Sequence, residues 1–222
     1  IDTANEASPI AGKIIMSNLC SEILQVQKPS IVNDRQEFDE LGTDISCNLG
    51  STNIVNLMAA PDFGQSVETM VRALTFVTDH SDIQVVPSVQ KGNAQAHTIG
   101  LGAMGLHAFL AKNQIEYGSK EALDFTSVYF MLLNYWTLVA SNKIARERHT
   151  TFVDFAKSKY ADGTYFDKYL ANDFGPKTAK VKSLFEHVFI PTAADWAQLK
   201  EAVMTDGLYH QNRLAVAPNG SI

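Results

Sequence analysis

A cysteine stands two residues from an amide on one side and two from a carboxylate on the other in the stretch Met16-Ser17-Asn18-Leu19-Cys20-Ser21-Glu22. If this stretch is extended, alternate side chains share a face, so Asn18, Cys20 and Glu22 point the same way. A sulfur can abstract an atom or attack, a carboxylate can take a proton and an amide can orient a hydroxyl, three tasks on one small substrate. The competing reading is a buried structural cysteine, since sulfur packs as a small hydrophobe. The other cysteine, Cys47, lies in Thr43-Asp44-Ile45-Ser46-Cys47-Asn48-Leu49-Gly50-Ser51, where a β-prone stretch again delivers a thiol into a glycine-containing loop of small residues.

Such groups need elements to position them. Residues 13 to 16 read as a short strand leading to Cys20, and 23 to 42 as a polar connection punctuated by Pro29, Asp34 and Gly42. Val67, Met70, Val71, Leu74 and Val77 form a helical stripe within Ser66 to His80. After Pro87 and Gly92, residues 93 to 113 read as a second apolar helix, in which His107 is expected to be a hydrogen-bonded core histidine. Its run Gly100-Leu101-Gly102-Ala103-Met104-Gly105 lacks the lysine-serine ending of a phosphate loop, so close helix packing is the better reading. Ser119 opens the longest helix, to about Arg148, with Leu123, Val128, Leu132, Tyr135, Leu138 and Val139 apolar and a basic last turn that complements the helix dipole. Residues 150 to 190 interleave aromatics with charges as short amphipathic helices. Thr192 caps a helix to Thr205, with Asp195 at its third position. Arg213 onwards reads as a strand and its following loop. The pattern is α/β.

The 222 residues carry 45% apolar side chains and a net charge of −6, with the basic residues dispersed, so a soluble chain without a nucleic-acid-binding surface is expected. No apolar run has membrane-spanning length and no signal peptide opens the chain, which makes a cytoplasmic location the default expectation. Two cysteines are too few for a disulfide-stapled secreted fold of this size. There is no C-x-x-C or H-E-x-x-H, and the six histidines show no ligand spacing, so no metal site is expected. The abrupt ends, Ile1 without an initiator methionine and Pro218 to Ile222 directly after a strand, suggest a piece of a longer protein.

Five motifs occur in order: Asn18-Leu19-Cys20-Ser21-Glu22-Ile23, Ser46-Cys47-Asn48-Leu49-Gly50-Ser51, His97-Thr98-Ile99-Gly100-Leu101-Gly102, Ala145-Arg146-Glu147-Arg148 and Pro218-Asn219-Gly220-Ser221-Ile222. Together they resemble the catalytic large subunit of ribonucleotide reductase, best the class Ib type, over essentially the whole chain. The resemblance implies a helix-rich α/β fold that is part of a ten-stranded α/β barrel, with residues 1–222 its central part, and the reduction of ribonucleotides to deoxyribonucleotides for DNA synthesis. Cys20 matches the thiyl-radical cysteine that takes the 3′ hydrogen, Glu22 the base for the 3′ hydroxyl, and Asn18 the amide that bonds the substrate hydroxyls. Leu19 and Ser21 complete that substrate-contacting segment. Cys47 matches one member of the redox pair that reduces the 2′ carbon. Pro218, Asn219, Gly220, Ser221 and Ile222 match the loop that holds the phosphates, physically an anion nest.

The resemblance also implies partners: a ribonucleoside diphosphate, a small subunit whose dimetal-tyrosyl centre supplies the radical, a glutaredoxin- or thioredoxin-like thiol reductant, and the remainder of a homodimeric large subunit. No cofactor bound by this chain, no nucleic acid and no membrane are expected. The partner cysteine of Cys47 and the specificity site would lie upstream, and the tyrosine relay and reducing tail downstream, so two free thiols and no turnover are expected of this stretch alone. Two positions depart from the family pattern: Asn219 stands where threonine is usual, and Thr52 where leucine is usual. Asn219 can still donate a hydrogen bond to phosphate. Base, radical and phosphate anchor must touch one nucleotide, so Asn18, Cys20, Glu22 and the 218 to 222 loop should converge, with Cys20 Sγ within about 15 Å of the Ser221 nitrogen. A class II, adenosylcobalamin-dependent relative and a non-catalytic domain with two core cysteines are the alternatives.

Overall fold

Two parallel strands with a third segment beside them form the frame. The computed structural model of the chain describes residues 1–46 and 48–219. β3 (Leu49–Asn53) and β4 (Gly100–Met104) pair in parallel, Leu49 opposite Gly100 and Asn53 opposite Met104. The segment 212–215 lies along the other edge of β4: Ile99 donates to Asn212 O, Leu101 to Arg213 O and Ala215 back to Leu101 O. Only Leu214 forms a bridge, parallel to Leu101, so the strand expected from Arg213 onwards is a single point of pairing. Parallel strands are covered on both faces, and β4 is accordingly buried for four of its five residues. Of the glycines that suggested helix packing, Gly100 and Gly102 are strand glycines and Gly105, just before the helix Leu106–Lys112, lies in the left-handed region. A Cβ on Gly102 would come within 2.3 Å of Ala215 O, so only glycine lets the two backbones approach. The expected helix over 93–113 is therefore two helices and a strand, and His107 is an exposed residue of the second helix rather than a core histidine.

The connection from β3 to β4 passes through α2 (Ile54–Met58), α3 (Phe63–His80) and α4 (Pro87–Ala96), and α5 (Leu106–Lys112) follows β4. α6 (Lys120–Arg148) is the spine. It begins where the Ser119 hydroxyl accepts from the Ala122 amide and ends at His149 in the left-handed region, φ 53°. α3 packs on one side of it, α9 (Ala193–Asp206) on another, and Phe109 and Phe185 stack on Phe125 near its start; Phe125, Tyr129, Leu132, Leu133, Leu138 and Ile144 are all buried. The expected stripe is right at Val128, Leu132, Tyr135 and Leu138 but wrong at Leu123, which is 66% exposed. α9 carries the expected capping box, Thr192 Oγ1 accepting from Asp195 N and the Asp195 carboxylate from Thr192 N.

Residues 150–190 fold as 3₁₀ turns, α7 (Asp167–Ala171) and α8 (Ala179–Leu184), with Phe152, Tyr160, Phe166, Tyr169 and Phe185 buried and Phe189 exposed; Tyr169 stacks on Trp196 at 3.9 Å. At the other end of the chain, α1 (Asp2–Ala7) precedes an irregular stretch where a strand was expected over 13–16. The 23 to 42 connection contains a small exposed hairpin, β1 (Ile31–Val32) against β2 (Phe38–Glu40), whose turn is built by Asn33 Oδ1 accepting from the amides of Arg35 and Glu37. Two- and three-residue strands are too short to show a readable alternation. The result is a helix-rich α/β domain, and no closed ten-stranded barrel is present among the described residues.

Candidate active site

The Cys20 loop is held from both sides. Ile14 is buried, and the Asn5 side chain grips its backbone, accepting from Ile14 N at 2.8 Å and donating to Ile14 O at 2.9 Å. Beyond it the chain turns instead of running extended. Ser21 N donates to Asn18 O at 3.2 Å with Ser21 at φ 64°, and Ile23 N donates to the Asn18 side-chain oxygen at 3.0 Å. Ile23 then enters the interior. The expected alternation of Asn18, Cys20 and Glu22 on one strand face is thus replaced by a tight loop with Leu19 and Cys20 at its tip. Asn18 commits its oxygen to closing the loop and keeps its amide nitrogen as the group able to meet a ligand. Cys20 is an exposed free thiol and Glu22 is half-buried.

Cys47 lies outside the described residues, but its neighbours are pinned. The cysteine precedes β3 rather than following a strand, a reversal of the expected order. Ser46 Oγ donates to Asn93 Oδ1 at 2.6 Å, Asn48 Nδ2 donates to Ser46 Oγ at 3.1 Å, and Asn93 Nδ2 donates to Thr78 O at 2.6 Å. The Ser46–Asn93 bond is buried and joins the β3 approach to α4, and the buried Asn93–Thr78 bond ties α4 to α3; at such positions an unmade bond would cost about 1–3 kcal/mol. A cavity of about 200 Å³ adjoins them, lined by Gln25, Ser46, Asn93, Thr98 and Gln211 among others. Asn93 was not singled out in the sequence, because nothing local distinguishes a helical asparagine that reaches a loop far away in sequence.

The carboxyl ends of the parallel strands carry the second set of groups. Ser51 Oγ donates to Asn219 Oδ1 at 3.0 Å, and Asn219 Nδ2 donates to Ala103 O at 3.2 Å. One residue on, Thr52 Oγ1 donates to Gly102 O at 2.9 Å and accepts from the buried Tyr129 hydroxyl at 2.8 Å. Burial pushes that phenol up to about 12. Open parallel sheets take ligands outside the carboxyl ends of their strands, and that is the end at which Asn219 sits.

The segment leading to Asn219 is anchored twice in the interior. His210 is fully buried, with Nε2 2.9 Å from Thr75 Oγ1 and Nδ1 3.0 Å from Ser141 Oγ. Thr75 already donates to Val71 O, so Nε2 carries the proton and Nδ1 accepts. Burial first, then the nearby Arg213, His97 and Arg148 charges, hold its pKa well below the ordinary histidine value. Arg213 is buried beside Tyr160, its Nη2 donating to the Tyr160 hydroxyl at 3.1 Å and to Asn134 Oδ1 at 3.4 Å.

The structure therefore gathers Asn18, Leu19, Cys20, Ser21 and Glu22 into one loop, and ties Asn219 to Ser51 and Ala103 at the strand ends. The clearest cavities among the described residues are lined elsewhere and do not join the two sets. Gly220, Ser221 and Ile222 lie outside the described residues, as does the expected distance from Cys20 to Ser221. Among the described residues no cluster of three or more histidine, cysteine or acidic side chains is placed to hold a metal, and no helix is long and apolar enough to cross a membrane.

The family model described as "Ribonucleotide reductase, barrel domain" matches residues 1–222. The chain is 47% identical over 210 residues to the ribonucleoside-diphosphate reductase subunit alpha of Bacillus subtilis (strain 168), a match that covers 95% of this chain and 30% of that relative. It is 44% identical over 227 residues to the subunit alpha of Mycoplasma pneumoniae, covering 100% of this chain and 31% of the relative. With the subunit alpha of Helicobacter pylori the identity is 34% over 270 residues, with 100% and 33% covered. The chain thus spans about a third of the length of these relatives.

Proposed function

The chain belongs to the ribonucleotide reductase barrel-domain family, and from that premise we propose that residues 1–222 are the central part of the catalytic barrel of a class Ib ribonucleoside-diphosphate reductase. In this reading β3, β4 and the 212–215 segment are neighbouring members of the ten-stranded barrel, whose other strands come from the rest of the subunit. The observation that carries the reading is the match along the whole chain to reductase alpha subunits. The loop geometry supports it, because it offers one free thiol at the tip of a turn braced by Asn18.

The roles follow from the chemistry of each group. A hydrogen atom passes from the 3′ carbon of the nucleotide to the Cys20 sulfur, Glu22 takes the proton of the 3′ hydroxyl, and the Asn18 amide nitrogen orients the hydroxyls. The 2′ hydroxyl leaves as water with a proton from one thiol of a pair formed by Cys47 and a second cysteine. The pair then gives the 2′ carbon a hydrogen and the sugar an electron and becomes a disulfide, Glu22 returns its proton to the 3′ oxygen, and Cys20 returns its hydrogen to the 3′ carbon. Pro218 to Ile222 hold the phosphates through backbone N–H groups. A small subunit with a dimetal-tyrosyl centre supplies the radical equivalent, an external thiol protein reduces the disulfide, and the large subunit is a cytoplasmic homodimer.

The decisive experiment replaces Cys20 by serine in the complete subunit assayed with its radical-generating partner. Serine keeps the size but its O–H bond is too strong to serve as the hydrogen carrier. Turnover should fall by at least about a thousandfold, the scale on which loss of an essential reacting group is felt. Turnover within tenfold of the parent would overturn the assignment.

A further inference from the structure

The chain entering the Cys20 loop is held by a side chain that acts as backbone. Asn5 Oδ1 accepts from Ile14 N at 2.8 Å and Asn5 Nδ2 donates to Ile14 O at 2.9 Å, the exchange that a facing strand residue would make. Among the described residues these are the only hydrogen bonds of the stretch 11–16, and Ile14 is the one buried side chain between Ile10 and Ile23. The grip closes residues 5–14 into a loop whose middle is fixed: Pro9 O accepts from Lys159 N at 2.8 Å, and Ile10 packs into the main core. Burial alone would keep the Ile14 side chain in place but leave its peptide groups free to turn. The paired bonds fix their direction as well. Only Ile15, Met16 and Ser17 then lie between this closed loop and the turn that Asn18 closes on Ile23, at whose tip Cys20 sits.

We propose that Asn5 is a positioning residue for Cys20: its paired bonds to Ile14 set the direction in which the chain enters the 18–23 turn, and with it the place of the sulfur. The inference rests on the reading of Cys20 as the radical cysteine. Transfer of a hydrogen atom needs the reacting atoms held near contact, and misplacement by about 1 Å can cost on the order of a hundredfold in rate. On the exit side the turn is fixed by the burial of Ile23, so the entry side is where its direction depends on Asn5. The position requires an amide. Aspartate would keep an acceptor for Ile14 N but set a second carboxylate oxygen against the Ile14 carbonyl, where a donor is needed.

The test uses the complete subunit with its radical-generating partner and a ribonucleoside diphosphate. Asn5→Ala should lower kcat about tenfold or more, with KM within about threefold of the parent, because the loss falls on the reacting geometry rather than on ground-state binding. The isotope effect measured by competition between 3′-deuterated and ordinary substrate should shift from the parent's. It reads how far hydrogen transfer limits turnover and is blind to the fraction of enzyme that is folded, so a merely structural loss would not move it. Asn5→Asp, equal in size, should behave as Asn5→Ala does and is read alone if the alanine variant fails to fold. Glu6→Ala, at an exposed neighbour on α1, should match the parent. A kcat within twofold of the parent in the Asn5 variants, an unshifted isotope effect, a rise in KM at constant kcat, or the same losses in Glu6→Ala would each overturn the proposal. The Cys20→Ser control separates the two claims: if that variant turns over, the reductase reading has failed, whereas if it is dead and the Asn5 variants match the parent, only the positioning role has.

Discussion

His210 shows how a single side chain ties stability to pH. It bridges α3 and α6 through Thr75 and Ser141 and is held neutral in the interior. Its folded pKa lies below the unfolded one, so its contribution is complete above the ordinary histidine value of about 6.5. As pH falls through that value the unfolded chain takes up a proton that the folded chain refuses. Stability is then lost at up to about 1.4 kcal/mol per pH unit until the folded pKa is reached. His97 is displaced in the same direction, by burial and Arg148 against the opposing pull of Asp79, and adds to the slope. Urea denaturation at pH 7.5, 6.0 and 5.0 should show this decline, and His210→Gln should flatten it. A parent curve that is level across that range would show that His210 takes up its proton as readily in the folded state as in the unfolded one.

Among the elements, α6 decides whether the sheet has anything to rest on. Its length follows from Ser119 at one end and His149 at the other, but its energetics come from which side each residue faces. Phe125 is fully buried, stacked on Phe109 at 4.4 Å and on Phe185 at 5.4 Å, so it joins α6 to α5 and to the residue that ends α8. Phe125→Ala should cost about 3–5 kcal/mol, transfer and cavity terms together. Leu123, two residues earlier and equally apolar, is 66% exposed, and Leu123→Ala should stay within about 0.5 kcal/mol. Chemical denaturation of the two variants measures the contrast. Comparable losses would mean that the N-terminal turns of α6 are buried differently from the arrangement described.

For the whole molecule the telling feature is what the Cys20 loop lacks. Leu19 is 99% exposed and Cys20 beside it is exposed, whereas a thiyl radical is quenched by any reductant that reaches it. The proposed function therefore requires the remainder of the subunit to close over this loop. Iodoacetamide should alkylate Cys20 in the isolated 222-residue chain at least about tenfold faster than in the complete subunit, because thiol reaction rates follow access as well as thiolate content. Mass spectrometry of the Cys20 peptide over time gives both rates, and equal rates would leave the radical without shelter.

Much of this was written locally. The capping box at Thr192 and Asp195, the serine that opens α6 and the apolar spacing of α3 are short-range consequences of backbone hydrogen bonding and helical period, and they can be read within one or two turns of chain. The five ordered motifs carried the family, since the chemistry of a site constrains residue types whatever surrounds them. Other features were decided only by contacts across the chain. Gly100 to Met104 is a strand because Ala215 and Leu49 lie against its glycines, and no window around it contains that information. The Cys20 stretch turns because Asn18 finds Ile23, where an alternating pattern reads equally well as extended. Asn219 grips Ser51 and Ala103, 168 and 116 residues away. Hydrogen bonds of that span have no sequence signature, because the partners become neighbours only once parallel strands have been brought side by side.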